Sequence, residues 1–310
     1  MIAALSVTVV WLLLRQLTAE RPAAWLTIAY AFGTETWSVS SQALWQHGTS
    51  ELLLAAMLLA LLQRGTAAHL LAGLLGGLLA FNRPPNAAFV AAAIVYLACF
   101  NRRMLPAFLA SAILLAGLGL AYNLAEFATV FGGYRSHAHA DYYAPTLRAW
   151  LDGTAGLLVS PGRGLLLFAP FFLFLFGLPR VGIRAPLRRL LACFLPAAGV
   201  QVLLYGSFIG WAGGVSYGPR MLTDLTPILI LALVPVVEAL RGRLLPAVFA
   251  LAIAFSIAVQ AIGAFCFPMG RSVLEADMWR LDKVQYIVEL RGGLAPIEFP
   301  WVLAPPKVLW

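Results

Sequence analysis

Arg83 in "FNRPPN" (81–86), Arg163 in "SPGRG" (160–164) and Arg220 in "GWAGGVSYGPRMLTD" (210–224) each stand beside glycine or proline at the end of an apolar run. A guanidinium presents five donors in a planar fork suited to bidentate phosphate binding. Neighbouring glycines let backbone N–H groups approach the same anion. Three arginines in this setting point to a lipid phosphate or pyrophosphate held at headgroup depth. Taken one at a time, each also fits an arginine that snorkels to the interface. Trp211 and Tyr217 flank "AGGVS" in the third stretch, where they can stack on a sugar face or belong to an interfacial aromatic belt.

Two acids stand out. His47 and Glu51 are four apart where a helix begins, so they share a face and can trade a proton or hold a divalent ion. Two ligands are too few for a structural metal site; none is assigned, and whether a divalent ion serves as cofactor stays open. Glu35, in "FGTETWS", falls within an apolar run, where an unpaired charge is costly, so it lies near the outer surface or faces a polar cavity. Asp224 follows Arg220 closely enough to pair with it or to cap the next helix. His137-x-His139-x-Asp141 aligns on one side of an extended segment and reads as a solvated loop.

Elements of a particular kind must position these groups. Of the 310 residues 62% are apolar and 11% charged, and the mean hydropathy is +0.87. A soluble domain carries about twice that charge. Ten apolar runs, near 2–14, 23–40, 50–63, 67–81, 87–100, 105–122, 164–179, 190–209, 224–239 and 245–267, predict an all-α, polytopic transmembrane helix bundle of about ten spans. The runs do not alternate, which excludes an outer-membrane β-barrel. Cys99, Cys193 and Cys266 are scattered through apolar runs, with no spacing for a metal knuckle or a disulfide framework. The expected division is a bundle over residues 1–268 and an extracytoplasmic tail over 269–310.

Alternate joins carry opposite chemistry. Arg15, Arg21, Arg64, Arg102, Arg103, Arg180, Arg184, Arg188, Arg189, Arg241 and Arg243 fall on one side, against only Glu20 and Glu238. Arginine-rich short loops stay in the cytoplasm, so this side is expected inside and the chain is expected to start outside. The formal charge of +8 is then a topological signal, and no nucleic-acid partner is expected. Every distinctive polar stretch falls on the other, extracytoplasmic side: 40–51, 81–86, 134–143, 160–164 and 210–224. That predicts one shared site at the membrane boundary.

In combination, "LWQHGTSELLLA", "FNRPPN", "LLVSPGRGLLLFAPFFL" and "GGVSYGPRMLTDLTPIL" resemble bacterial membrane glycosyltransferases of the GT-C class, relatives of the dolichyl-phosphate-mannose-protein mannosyltransferases and of the RgtA/B/C/D-like domain. The resemblance implies a multi-helix bundle in the bacterial inner membrane with its active site on the extracytoplasmic face. It implies a polyprenyl-phosphate-linked sugar as donor, and inverting transfer to a hydroxyl on an acceptor lipid, glycan or protein. Arg83, Arg163 and Arg220 then become donor-phosphate contacts, with His47 and Glu51 at the end of a helix lining the substrate site. That class takes its catalytic base from an acidic residue in the first outer loop, between the first two helices. The first apolar run, 2–14, matches the helix that would follow that loop, so a truncated sequence is expected, and within this chain Glu35 or Glu51 would have to act as base. The competing readings are a non-catalytic GT-C-like subunit and a transporter or flippase of lipid-linked saccharides. A transporter should place ionisable groups at mid-membrane in two related halves, and no internal repeat is visible.

Overall fold

The computed structural model describes residues 1–43, 45–130, 132–134, 139–267 and 277–293. Among these residues the secondary structure is helical, and each of the ten apolar runs falls on a helical segment. In chain order the α-helices are α1 (Ile2–Leu17), α2 (Glu20–Gly33), α3 (Gln46–Leu61), α4 (Thr66–Asn82), α5 (Ala87–Phe100), α6 (Leu105–Phe127), α7 (Leu147–Val159), α8 (Leu165–Phe168), α9 (Ala185–Gly206), α10 (Thr226–Ala239), α11 (Leu244–Cys266) and α12 (Gln285–Gly292). Among the described residues, four stretches are long and apolar enough to cross a membrane: Arg102–Phe127, Ala185–Gly206, Arg220–Ala239 and Leu244–Cys266. Shorter apolar helices, such as Ile2–Leu17 and Thr66–Asn82, accompany them. The chain is a helical membrane protein.

Local chemistry sets the boundaries. Proline in the first turn opens α6, α9 and α10, where the missing N–H has no intrahelical partner to lose. Helix α2 runs on into a π-helical turn, Thr36–Ser40, which widens the end of the element and turns its hydroxyls inward. The 164–179 run departs from a single α-helix. It is the short α8 followed by a 3₁₀ segment, Pro170–Arg180, because Pro170 cannot donate to the α8 ladder. Helix α7 belongs to none of the ten runs; Thr146 caps it by accepting from the Ala149 N–H at 3.2 Å.

Small residues decide how closely the helices approach. Gly73 and Gly77 lie on one face of α4. A Cβ at Gly73 would overlap the Phe108 carbonyl, and one at Gly77 would stand 2.6 Å from Leu115 Cβ on α6. This is the close backbone packing that glycine permits between membrane helices. The central layer is α10, flanked by α2, α9 and the Pro170–Arg180 segment, with Ile228, Ile230, Leu231, Leu233 and Val234 all buried.

The two ends of the bundle differ. At one end Thr18 donates to Glu238 at 2.6 Å and Arg184 pairs with the same carboxylate at 3.0 Å, among the arginine-rich joins. At the other end lie the N-termini of α3, α5 and α10 and the C-termini of α4, α6 and α9. The described part of the 269–310 tail, residues 277–293, packs here through α12 against α11.

Candidate functional site

That second end encloses a cavity of about 310 Å³ lined by Trp45, Gln46, His47, Arg83, Pro85, Tyr134, Tyr142, Tyr205, Phe208, Arg220 and Met221. Its polar floor is built on Asp224, which is buried. One Asp224 oxygen meets His47 Nδ1 at 2.8 Å, and the other accepts from Arg83 Nη1 at 2.8 Å. The Tyr205 hydroxyl reaches the same Oδ2 at 3.4 Å. Tyr205 is held in turn by Gln201 at 3.2 Å, and Gln201 reaches Asn86 Oδ1 at 2.6 Å. The Arg83 guanidinium lies 5.4 Å from the centroid of the Tyr205 ring. Four elements are thereby tied together: the start of α3, the α4–α5 join, the end of α9 and the 3₁₀ turn Arg220–Leu225 that leads into α10.

Arg220 also lines the cavity. Its guanidinium stacks over the Trp45 ring at 4.4 Å, a cation–π geometry that fixes the plane of the fork. Its Nη2 donates to the Gly213 carbonyl. Its Nε is buried and has no hydrogen-bond partner among the described residues. The turn that brings Gly213 back to Arg220 depends on glycine: φ is +80° at Gly213 and +59° at Gly218, in the left-handed region that a Cβ disfavours.

Of the expected site residues, His47, Arg83 and Arg220 are brought together here, and the other five lie elsewhere. Arg163 is fully buried. Its Nε donates to Ala212 O and its Nη2 to Gly214 O, both at 3.0 Å, and its Nη1 donates to Gln285 Oε1. Gln285 also accepts from Gly218 N at 2.9 Å and donates to Ser216 O at 2.9 Å. Arg163 and Gln285 therefore clamp the glycine-rich loop from behind, with two Arg163 donors on main-chain carbonyls of that loop and a third on the Gln285 amide. Tyr217 is buried with its hydroxyl on Val259 O at 2.6 Å. Trp211 packs on Gly153 and Gly156 of α7; a Cβ at Gly156 would overlap its ring, and one at Gly153 would stand 3.0 Å from the ring and overlap the Gly206 carbonyl oxygen. Neither aromatic lines the cavity.

The two carboxylates expected as bases are internal. Glu51 accepts from Thr36 Oγ1 at 2.6 Å and from Ser40 Oγ at 2.7 Å, so the π-helical turn satisfies both of its oxygens. Glu35 accepts from Gln260 Nε2 at 3.1 Å, and its Oε2 is buried without a partner among the described residues. Both are fully buried and stand outside the cavity wall. Asp224 pairs across the bundle with His47 and Arg83, not with its near neighbour Arg220. His137 lies outside the described residues.

The sequence did not single out Tyr134, Tyr142, Tyr205 or Phe208 as site residues. The available signal was an aromatic at each of several helix ends on one side, which is also what a membrane belt looks like. Beside the cavity runs an apolar groove of about 570 Å³ between α3, α4 and α6, lined by Leu53, Leu78, Phe81, Phe127 and Val130. Gln46 and Tyr134, joined by a hydrogen bond, line both cavity and groove. No protein-family profile, no curated protein and no solved structure matches this chain.

Proposed function

We propose that the chain is a GT-C-type glycosyltransferase module in the bacterial inner membrane. In this reading the cavity faces the extracytoplasmic side and receives the phosphate and sugar of a polyprenyl-phosphate donor, for transfer to an acceptor hydroxyl on a lipid, glycan or protein. The observation that carries the reading is the buried, unpartnered Arg220 Nε at the wall of a cavity also lined by Arg83. A buried donor left unmade costs about 1–3 kcal/mol, and a phosphate oxygen removes that cost while matching the charge. The surrounding rings offer faces for a sugar, and the adjoining apolar groove offers a course for an isoprenoid chain. The end whose cations are balanced by acids, unlike the arginine-rich joins at the other end, is taken as the extracytoplasmic one by charge bias.

The experiment is binding of a polyprenyl phosphate to the full chain in detergent micelles. Arg220→Ala is expected to weaken it tenfold or more, since a charged hydrogen bond contributes about 1.5–3 kcal/mol. Equal binding by a folded Arg220→Ala chain contradicts the reading. The internal position of Glu35 and Glu51 favours one alternative, a non-catalytic GT-C-like subunit that binds the lipid without turning it over. Donor binding without donor cleavage is its signature.

A further inference from the structure

We propose that His47, backed by Asp224, is the general base of this site. The inference rests on the glycosyltransferase reading and supplies the group that reading lacks. Inverting transfer must remove the proton of the attacking hydroxyl, and the base must lie within about 3 Å of that oxygen or one water away. Glu35 and Glu51 are enclosed by the bundle. Among the described residues lining the cavity, the ionisable groups are His47, two arginines and three tyrosines. A guanidinium has no acceptor and a phenol is a poor base near neutrality. The imidazole is the one group there suited to taking a proton.

Its surroundings fit the task. Asp224 Oδ1 lies 2.8 Å from His47 Nδ1, which favours the tautomer with Nδ1–H toward the carboxylate and leaves the Nε2 lone pair as acceptor. Asp224 is itself fixed by Arg83 and Tyr205, so the ring is held in orientation. Arg83 Nη1 lies against both ring nitrogens, beside Nδ1 and 3.3 Å from Nε2. Burial and this charge keep the resting ring neutral, and the acceptor hydroxyl must displace the Arg83 N–H from the Nε2 lone pair to deliver its proton there. In the step itself, the acceptor oxygen bonds to the anomeric carbon as the bond from that carbon to the phosphate oxygen breaks. The electron pair leaves on the polyprenyl phosphate, and the hydroxyl proton goes to His47 Nε2. The phosphate gains one negative charge as the imidazole gains one positive charge, so the cavity's net charge is unchanged by the transfer.

The test uses the full chain in proteoliposomes with a panel of synthetic polyprenyl-phosphate hexoses, reading release of polyprenyl phosphate. His47→Ala is expected to lower kcat a hundredfold or more while donor KM stays within threefold. Added imidazole should restore at least tenfold of that loss, and should restore nothing in Arg220→Ala. His47→Gln, which keeps the size of the side chain, should be as slow as His47→Ala. A His47→Gln chain with wild-type kcat overturns the assignment and leaves the glycosyltransferase reading standing. So does a His47→Ala chain that binds donor normally, is slow, and gains nothing from imidazole. A wild-type chain that cleaves no donor removes the glycosyltransferase reading and the base with it.

Discussion

At the scale of single residues, burial separates arginines that looked alike. Arg83, Arg163 and Arg220 share a setting of glycine and proline at a helix end, which marked all three as anion contacts. That setting locates a chain turn, and it does not say which way the guanidinium points. Arg163 turns inward because the carbonyls of Ala212 and Gly214 and the Gln285 amide oxygen surround it with acceptors, a long-range arrangement invisible at positions 160–164. Arg163→Lys should therefore lower stability by about 2 kcal/mol or more by leaving buried carbonyls unpaired, which thermal unfolding in micelles will read. An unchanged melting temperature would mean that the clamp is not holding the loop. The same reasoning covers the acids. Glu51 looked available beside His47, but the hydroxyls that occupy it come from the π-helical turn. Asp224 found partners on other helices, 141 and 177 positions away in sequence.

At the scale of elements, hydropathy periods located the ten apolar runs because the membrane demands long apolar stretches. They missed α7, whose apolar residues cover only part of its surface; Leu147 and Leu151 are exposed while Gly153, Gly156 and Leu157 are buried. They also missed the change from α to 3₁₀ geometry after Phe168, which proline imposes without altering hydropathy. The glycines in "LLAGLLGGLLAF" were legible as composition only. Their role as a contact face emerges from the approach of α6. Gly77→Val should cost about 1–3 kcal/mol through overpacking against Leu115 and Ala112. Gly117→Ala, where nothing lies within 4 Å, should leave stability unchanged or raise it slightly by helix propensity. Thermal melts of the two variants decide this, and equal shifts would show that the α4–α6 contact is not tight.

At the scale of the whole molecule, the alternation of arginine-rich and polar joins anticipated a bundle with two unlike ends. It also anticipated that the distinctive segments would gather at one of them. The gathering is selective: Trp45 to His47, Arg83 and Pro85, Tyr134, Tyr142, Tyr205, Phe208, Arg220 and Met221 meet in the cavity, while 160–164 braces it from behind. Which members of a gathered set face the cavity depends on helix rotation, and a single sequence with several aromatics at each helix end does not specify it. The proposed glycosyltransferase activity requires this cavity to hold the phosphate of a polyprenyl lipid. The direct measurement is an experimental structure of the full chain determined with a polyprenyl phosphate added. Phosphate density is expected within hydrogen-bond distance of Arg220 Nε and of Arg83, with the chain of the lipid in the groove between α3, α4 and α6. Lipid phosphate bound elsewhere, with Arg220 Nε still unpartnered, would contradict it.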